Sequence, residues 1–303
     1  VPFAGTSAFG VEVLRGLLAA GVEVPLVLSQ PDRPAGRKRV LTPPPVAVFA
    51  REAGIPLLQP EHALEALAPL GAVSPTAIAI CAYGQILPLE LLALCPWLNL
   101  HPSLLPRWRG AAPIERALLS GDTETGVAIM ETVAALDAGP LVSVDRFVID
   151  VEADAAVVER EALRLGIPAL VRAIQASVDG TLASVEQSVD GITYAAKLER
   201  TDRLIDPQTH GQVVTANRVR ALRPQIGALL AIDGEIFTIW GTAPSALALA
   251  PGTAVVTDEE LHVGLADGAL RITELQTAGK RALPAAEWLR GRRQPPRSVV
   301  WPA

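Results

Sequence analysis

Three polar residues, Asn99, His101 and Asp137, are of types that together suit a reaction at a carbonyl carbon. An asparagine amide can donate to a developing oxyanion, and a histidine can act as acid, base or cation. Asp137, in Leu136-Asp137-Ala138-Gly139, is a loop acid able to orient that histidine. Asn99 and His101 lie two apart at the end of an expected strand, so both side chains point to the same side of the sheet. The run Ser103-Leu104-Leu105-Pro106-Arg107-Trp108-Arg109-Gly110 follows at once and is expected to wall the same pocket. A lone histidine near a strand end is more often a hydrogen-bonded structural residue, so the set needs support from its surroundings. His62, His210 and His262 have no partner legible in the sequence and read as surface or structural residues.

Other chemistries are poorly represented. Gly5-Thr6-Ser7 between a strand and a helix leaves backbone N–H groups that can hold an anion. Neither the phosphate-loop pattern nor the dinucleotide fingerprint is present, which argues against a nicotinamide-dependent enzyme. Cys81 and Cys95 are the only cysteines, too few for a disulfide scaffold, and no ligand cluster suggests a metal. Cys81 lies in an apolar run and is expected to be a buried small hydrophobe. No apolar run reaches the ~18–20 residues of a membrane span. With no basic leader at Val1–Gly10 either, a soluble, cytoplasmic protein without a membrane partner is expected.

The elements that must position these residues follow from apolar patterning. Half of the 303 residues are hydrophobic and 19% are charged, enough for a packed core and too apolar for a disordered chain. Strands are expected at Val1–Ala4, Val24–Ser29, Pro56–Leu58, Ala77–Ala82, Trp97–His101, Gly126–Thr132 and Pro140–Ile149. Helices alternate with them, including Ser7–Gly21 and a long pattern, Ala153–Val178, interrupted near Gly166–Pro168. This alternation predicts an α/β domain with a doubly wound, mostly parallel sheet. The texture changes near residue 190. A helix at Thr209–Leu222 precedes five short strand-like runs between Leu229 and Gln276, which predict a small β-barrel. The expected division is a first domain at 1–189, a linker at 190–206 and a second domain at 207–303.

The net charge of −6 disfavours a polyanionic partner, but its distribution does not. Arg33, Arg37, Lys38 and Arg39 form one basic cluster; Lys280, Arg281, Arg290, Arg292, Arg293 and Arg297 form a second, with Glu287 the only acid among them. Such patches on an acidic body can attract a nucleic acid locally, or can be ordinary solvated faces.

Over nearly its whole length the chain resembles the methionyl-tRNA formyltransferases. The resemblance rests on Phe3-Ala4-Gly5-Thr6, on Gln30-Pro31-Asp32-Arg33-Pro34-Ala35-Gly36-Arg37 and on Ala82-Tyr83-Gly84-Gln85-Ile86-Leu87-Pro88. It rests above all on the block from Asn99 to Ile114, then on Leu136–Gly139, Thr193–Lys197 and Leu289–Arg293. It implies 10-formyltetrahydrofolate as donor and the α-amino group of methionine on initiator tRNA as acceptor. It puts the family's three active-site residues on Asn99, His101 and Asp137. The folate contacts fall on Tyr83, Gln85, Ile86, Leu87, Ser103, Leu104, Leu105 and Pro106. The tRNA-inserting loop matches Pro34–Leu41 and its basic cluster, and the second domain becomes an OB-like barrel carrying the other patch. A monomer is expected, since two domains on one tRNA need no second copy. Alternatives are a formyltransferase for another amine, such as a nucleotide sugar, a 10-formyltetrahydrofolate hydrolase, or an RNA-binding protein with an inactive first domain.

Overall fold

The computed structural model describes residues 1–36 and 39–302. The chain forms two compact units, one of residues 1–113, 124–147 and 159–195, the other of 114–123, 148–158 and 196 onward. In chain order the elements up to residue 195 are β1 (Phe3–Gly5), α1 (Ala8–Ala19), β2 (Val27–Leu28), β3 (Arg33–Ala35), β4 (Val40–Thr42), α2 (Pro45–Glu52), β5 (Leu57–Leu58), α3 (Leu67–Ala72), β6 (Ile78–Cys81), α4 (Leu89–Leu92), β7 (Trp97–His101), β8 (Arg109–Gly110), α5 (Pro113–Ser120), β9 (Glu124–Glu131), β10 (Leu141–Val148), α6 (Ala155–Val178) and β11 (Tyr194–Ala195).

The first unit is built on a seven-stranded sheet in the order β10-β9-β7-β6-β1-β2-β5. From β7 to β5 every pair is parallel, and β9 runs antiparallel to β7. The strand β6 is buried throughout, as its unbroken apolar run predicts, and Cys81 is buried within it. Alternation along β7 sorts its side chains. Leu98 and Leu100 enter a core with α1 and α6 residues such as Leu14, Leu17 and Leu170, which leaves Asn99 and His101 on the opposite face. At the start of α1 the Ser7 hydroxyl accepts from the Gly10 N–H.

Two expectations are corrected here. The helix α6 is continuous, with Pro168 inside it. A proline costs a helix about 3 kcal/mol, and the buried face Ala162, Ala169, Leu170 and Ala173 outweighs that loss. The segment after Arg33, expected as a loop, contains a short antiparallel hairpin in which Arg33 faces Thr42 and Ala35 faces Val40.

The second unit contains α7 (Gln212–Leu222), β12 (Ala228–Ile232), β13 (Glu235–Pro244), β14 (Ala254–Thr257), β15 (Glu260–Leu265), β16 (Gly268–Thr277), β17 (Ala282–Pro284), α8 (Ala285–Arg290) and β18 (Val299–Val300). Its sheet runs β14-β15-β16-β13-β12-β18 with antiparallel pairing, and β17 joins β16. A bridge between Thr253 and Ser298, at the starts of β14 and β18, nearly closes the sheet into a barrel. Phe237, Ile239, Leu261, Val263 and Leu275 fill it. The strands β17 and β18 add to the five expected; prolines in and around them mask their strand pattern.

Candidate active site

The carboxyl ends of β1, β2, β6 and β7 lie on one edge of the parallel sheet, the usual place for a ligand in such folds. At the end of β7 the structure brings the three polar residues together. Asn99 Nδ2 donates to Asp137 Oδ1 at 3.5 Å. The His101 ring lies with Nδ1 3.7 Å from Asp137 Oδ2. Its shorter contact is at the other nitrogen, where Nε2 is 2.8 Å from the Trp108 carbonyl oxygen. A carbonyl only accepts, so Nε2 carries the proton and donates. Nδ1 is then the nitrogen without that proton, and it faces the carboxylate. Asp137 Oδ2 also accepts from the Gly110 N–H at 2.8 Å. The carboxylate thus sits between the asparagine and the histidine, anchored by the backbone beyond residue 103.

That backbone is itself braced. The strand β8 pairs in parallel with β11. Trp108 N donates to Thr193 Oγ1 at 2.9 Å, and Arg109 N to the Thr193 carbonyl at 3.0 Å. Trp108 and Asp137 both have positive φ, 66° and 45°. Non-glycine residues hold such conformations only where their surroundings over-determine them, and such sites cluster at functional centres.

The residues matched to folate contacts divide by burial. Tyr83, Leu87, Ser103 and Leu105 are buried. Burial pushes the Tyr83 phenol up to about 12, and its carbonyl accepts from Thr6 Oγ1 and Gln30 Nε2. Ser103 Oγ donates to the Arg107 carbonyl. Ile86 is 89% exposed, Leu104 and Pro106 are half-buried, and Gln85 Nε2 donates to the Pro60 carbonyl. Gln85 and Ile86, with Gln30, Arg33 and Leu64, line a cavity of about 410 Å³.

The two basic clusters are less bare than their sequence suggests. Arg37 and Lys38 lie outside the described residues. Arg39 is exposed, and Arg33 pairs with Glu61 at 3.0 Å. In the second unit Arg281 pairs with Glu287, Arg290 with Glu259 and Arg292 with Asp233, at 3.0, 3.6 and 3.3 Å. Arg292 also stacks on Trp288. Lys280 and Arg293 are exposed. Acids distant in sequence, Glu61, Asp233 and Glu259, thus offset cations that a linear count leaves bare.

Trp108 and Arg109 belong to the run expected to wall the pocket, and the Trp108 carbonyl holds His101. Nothing in the sequence marks Gln187, which contacts Arg109 beside Asp137. Thr193 was legible only as part of a matched segment. The other histidines do have partners. The His62 side chain caps a short 3₁₀ turn, His210 Nδ1 meets Arg218 and the Asp206 N–H, and His262 Nδ1 meets Ser245 Oγ. Among the described residues no helix is long and apolar enough to cross a membrane.

Two family models match the chain. The family described as Formyl transferase matches residues 2–174, and the one described as Formyl transferase, C-terminal domain, matches 197–293. A methionyl-tRNA formyltransferase of Aromatoleum aromaticum is 41% identical over 96% of this chain and 93% of its own length. One of Bordetella petrii is 42% identical over 97% of each. Among solved structures, the Helicobacter canadensis N-formyltransferase in complex with folinic acid and dTDP-3-aminofucose superposes with a TM-score of 0.67 at 16% identity, covering 89% of this chain and 97% of that one. HypX from Aquifex aeolicus in complex with tetrahydrofolic acid gives 0.60 at 21%, covering 82% and 47%. At these identities the structural likeness concerns the fold.

Proposed function

The chain belongs to the formyl transferase family, and on that premise we propose that it transfers a formyl group from 10-formyltetrahydrofolate to the α-amino group of methionine on initiator tRNA. The observation that carries this reading is that relatives matching both units at 41–42% identity are methionyl-tRNA formyltransferases. The uncharged amine attacks the formyl carbon. A C–N bond forms, and the carbonyl oxygen becomes an oxyanion. Asn99 Nδ2 and the protonated Nδ1 of His101 donate to it, while the Trp108 carbonyl fixes the ring. Asp137, placed 3.7 Å from Nδ1, stabilises the imidazolium. Collapse breaks the bond to N10 of the folate. The amine's proton is lost, N10 takes one up, and tetrahydrofolate leaves. The Tyr83–Leu87 and Ser103–Pro106 segments hold the folate, and the two basic clusters hold the tRNA.

The test is transfer of labelled formyl from 10-formyltetrahydrofolate to methionyl initiator tRNA, with folate hydrolysis followed alongside. The wild-type chain is expected to transfer formyl with little hydrolysis. Loss of one oxyanion donor typically costs ~10²–10³ in kcat, so Asn99→Ala falls by that factor. An Asn99→Ala rate within about threefold of wild type removes Asn99 from this role. Hydrolysis without transfer overturns the assigned reaction.

A further inference from the structure

Resting on the formyl-transfer reading above, we propose that Gln187 is a positioning residue for the reaction, acting through Asp137 and His101. Its side-chain amide is fully engaged. Nε2 donates to the carbonyls of Asp137 and Gly139, both at 2.8 Å. Oε1 accepts from Arg109 Nε and Nη2, at 3.1 and 2.6 Å. The segment carrying Gln187 is itself tied down, because Val185 and Leu141 exchange backbone hydrogen bonds at 2.7 and 2.9 Å.

The chemistry of the partners calls for an amide of this length. Two carbonyls need a double donor, and a guanidinium needs an acceptor. Glutamate supplies no donor there, lysine and arginine supply no acceptor, and asparagine is one methylene short. The contacts also close a ring. From the Asp137 carbonyl it runs through Gln187 to Arg109, along the chain to Gly110, and from the Gly110 N–H back to Asp137 Oδ2. Main chain and carboxylate of Asp137 are therefore both fixed to the segment whose Trp108 carbonyl holds His101. Asp137, a residue of positive φ, is a member of this ring, and Trp108, another such residue, immediately precedes its member Arg109 in the chain. Opening the ring frees Asp137 to shift relative to His101 without removing any group that touches substrate.

Gln187→Glu separates positioning from mere anchoring. The carboxylate still accepts from Arg109 but cannot donate to the Asp137 and Gly139 carbonyls. A misplacement of about 1 Å costs up to ~10²-fold in rate. We expect kcat to fall by about 10–100-fold in Gln187→Glu and in Gln187→Ala, with KM for folate and tRNA within about threefold of wild type. Melting temperature is expected to fall by only a few degrees in Gln187→Glu, which keeps Arg109 but sets a carboxylate against two carbonyls, so that at assay temperature the variant remains folded. Hydrogen exchange at the Gly110 amide, which does not depend on activity, is expected to quicken in both variants. A wild-type kcat in Gln187→Glu, or a kcat loss that only tracks a lowered melting temperature, overturns the proposal. Should the wild-type chain itself transfer no formyl, the functional reading fails. Exchange at Gly110 then still tests the ring, and unchanged exchange in Gln187→Glu overturns it.

Discussion

Replacing Asp137 with asparagine separates the shape of the site from its charge. The variant keeps an oxygen for the Gly110 N–H, which sits 2.8 Å from Oδ2. It loses the negative charge facing His101 Nδ1, and its own amide would meet the Asn99 amide donor to donor. We expect a fall in kcat of about 10² or more with melting temperature nearly unchanged, as measured by transfer assay and thermal unfolding. A variant that keeps its rate would make Asp137 a structural residue. At this scale the asparagine and histidine were legible because strand alternation places positions 99 and 101 on one face whatever the partners are. The group that orients the histidine was not legible. It is the Trp108 main-chain carbonyl, and a backbone acceptor has no letter in the sequence. Gln187 escaped for a related reason: its partners lie 48 to 78 residues away, and glutamine carries no charge to mark it.

Among the elements, the loop from β9 to β10 is the one on which the site depends most. Gly139 within it packs so closely on the Glu131 backbone carbonyl that a Cβ would overlap that oxygen. Gly139→Ala must therefore displace main chain, at a cost of about 1–3 kcal/mol, and carries Asp137 with it. The expected outcome is a lower melting temperature together with a loss of kcat; an alanine variant with neither would show that the loop relaxes freely. The strands and helices of the sheet were legible because each is a short apolar run or an amphipathic pattern bounded by turn residues. The hairpin of β3 and β4 was not, since its residues are exposed and Pro34 reads as a loop former. Nor was the continuity of α6, because the packing that overrides Pro168 comes from residues distant in sequence.

For the molecule as a whole, the second unit carries a pH-sensitive element. Burial, then the Arg218 charge, holds the His210 imidazole below its usual value, with Asp206 opposing them. Its Nδ1 accepts from the Asp206 N–H and meets Arg218, so the folded state needs it neutral. A group with a depressed folded value stabilises the fold above the unfolded value, here 6.5, and that stability is lost as pH falls through the folded value. Thermal unfolding should show the second unit weakening as pH drops from 7 towards 5, with the slope reduced in His210→Gln; an unchanged slope would place the sensitivity elsewhere. The basic clusters should differ in effect. Neutralising Arg290, Arg292 and Arg293 should weaken binding of all tRNAs alike and flatten its salt dependence, whereas neutralising Arg37, Lys38 and Arg39 should lower the discrimination for initiator tRNA. Equal effects on both tRNAs in the second variant would remove the loop from recognition. The most direct test of the whole account is kcat/KM of the wild-type chain for three acceptors with 10-formyltetrahydrofolate as donor: methionyl initiator tRNA, methionyl elongator tRNA and an amino-sugar nucleotide. Initiator tRNA is expected to be preferred by roughly 10²-fold or more; equal use of the two tRNAs, or transfer to the amino sugar alone, would overturn the assigned acceptor.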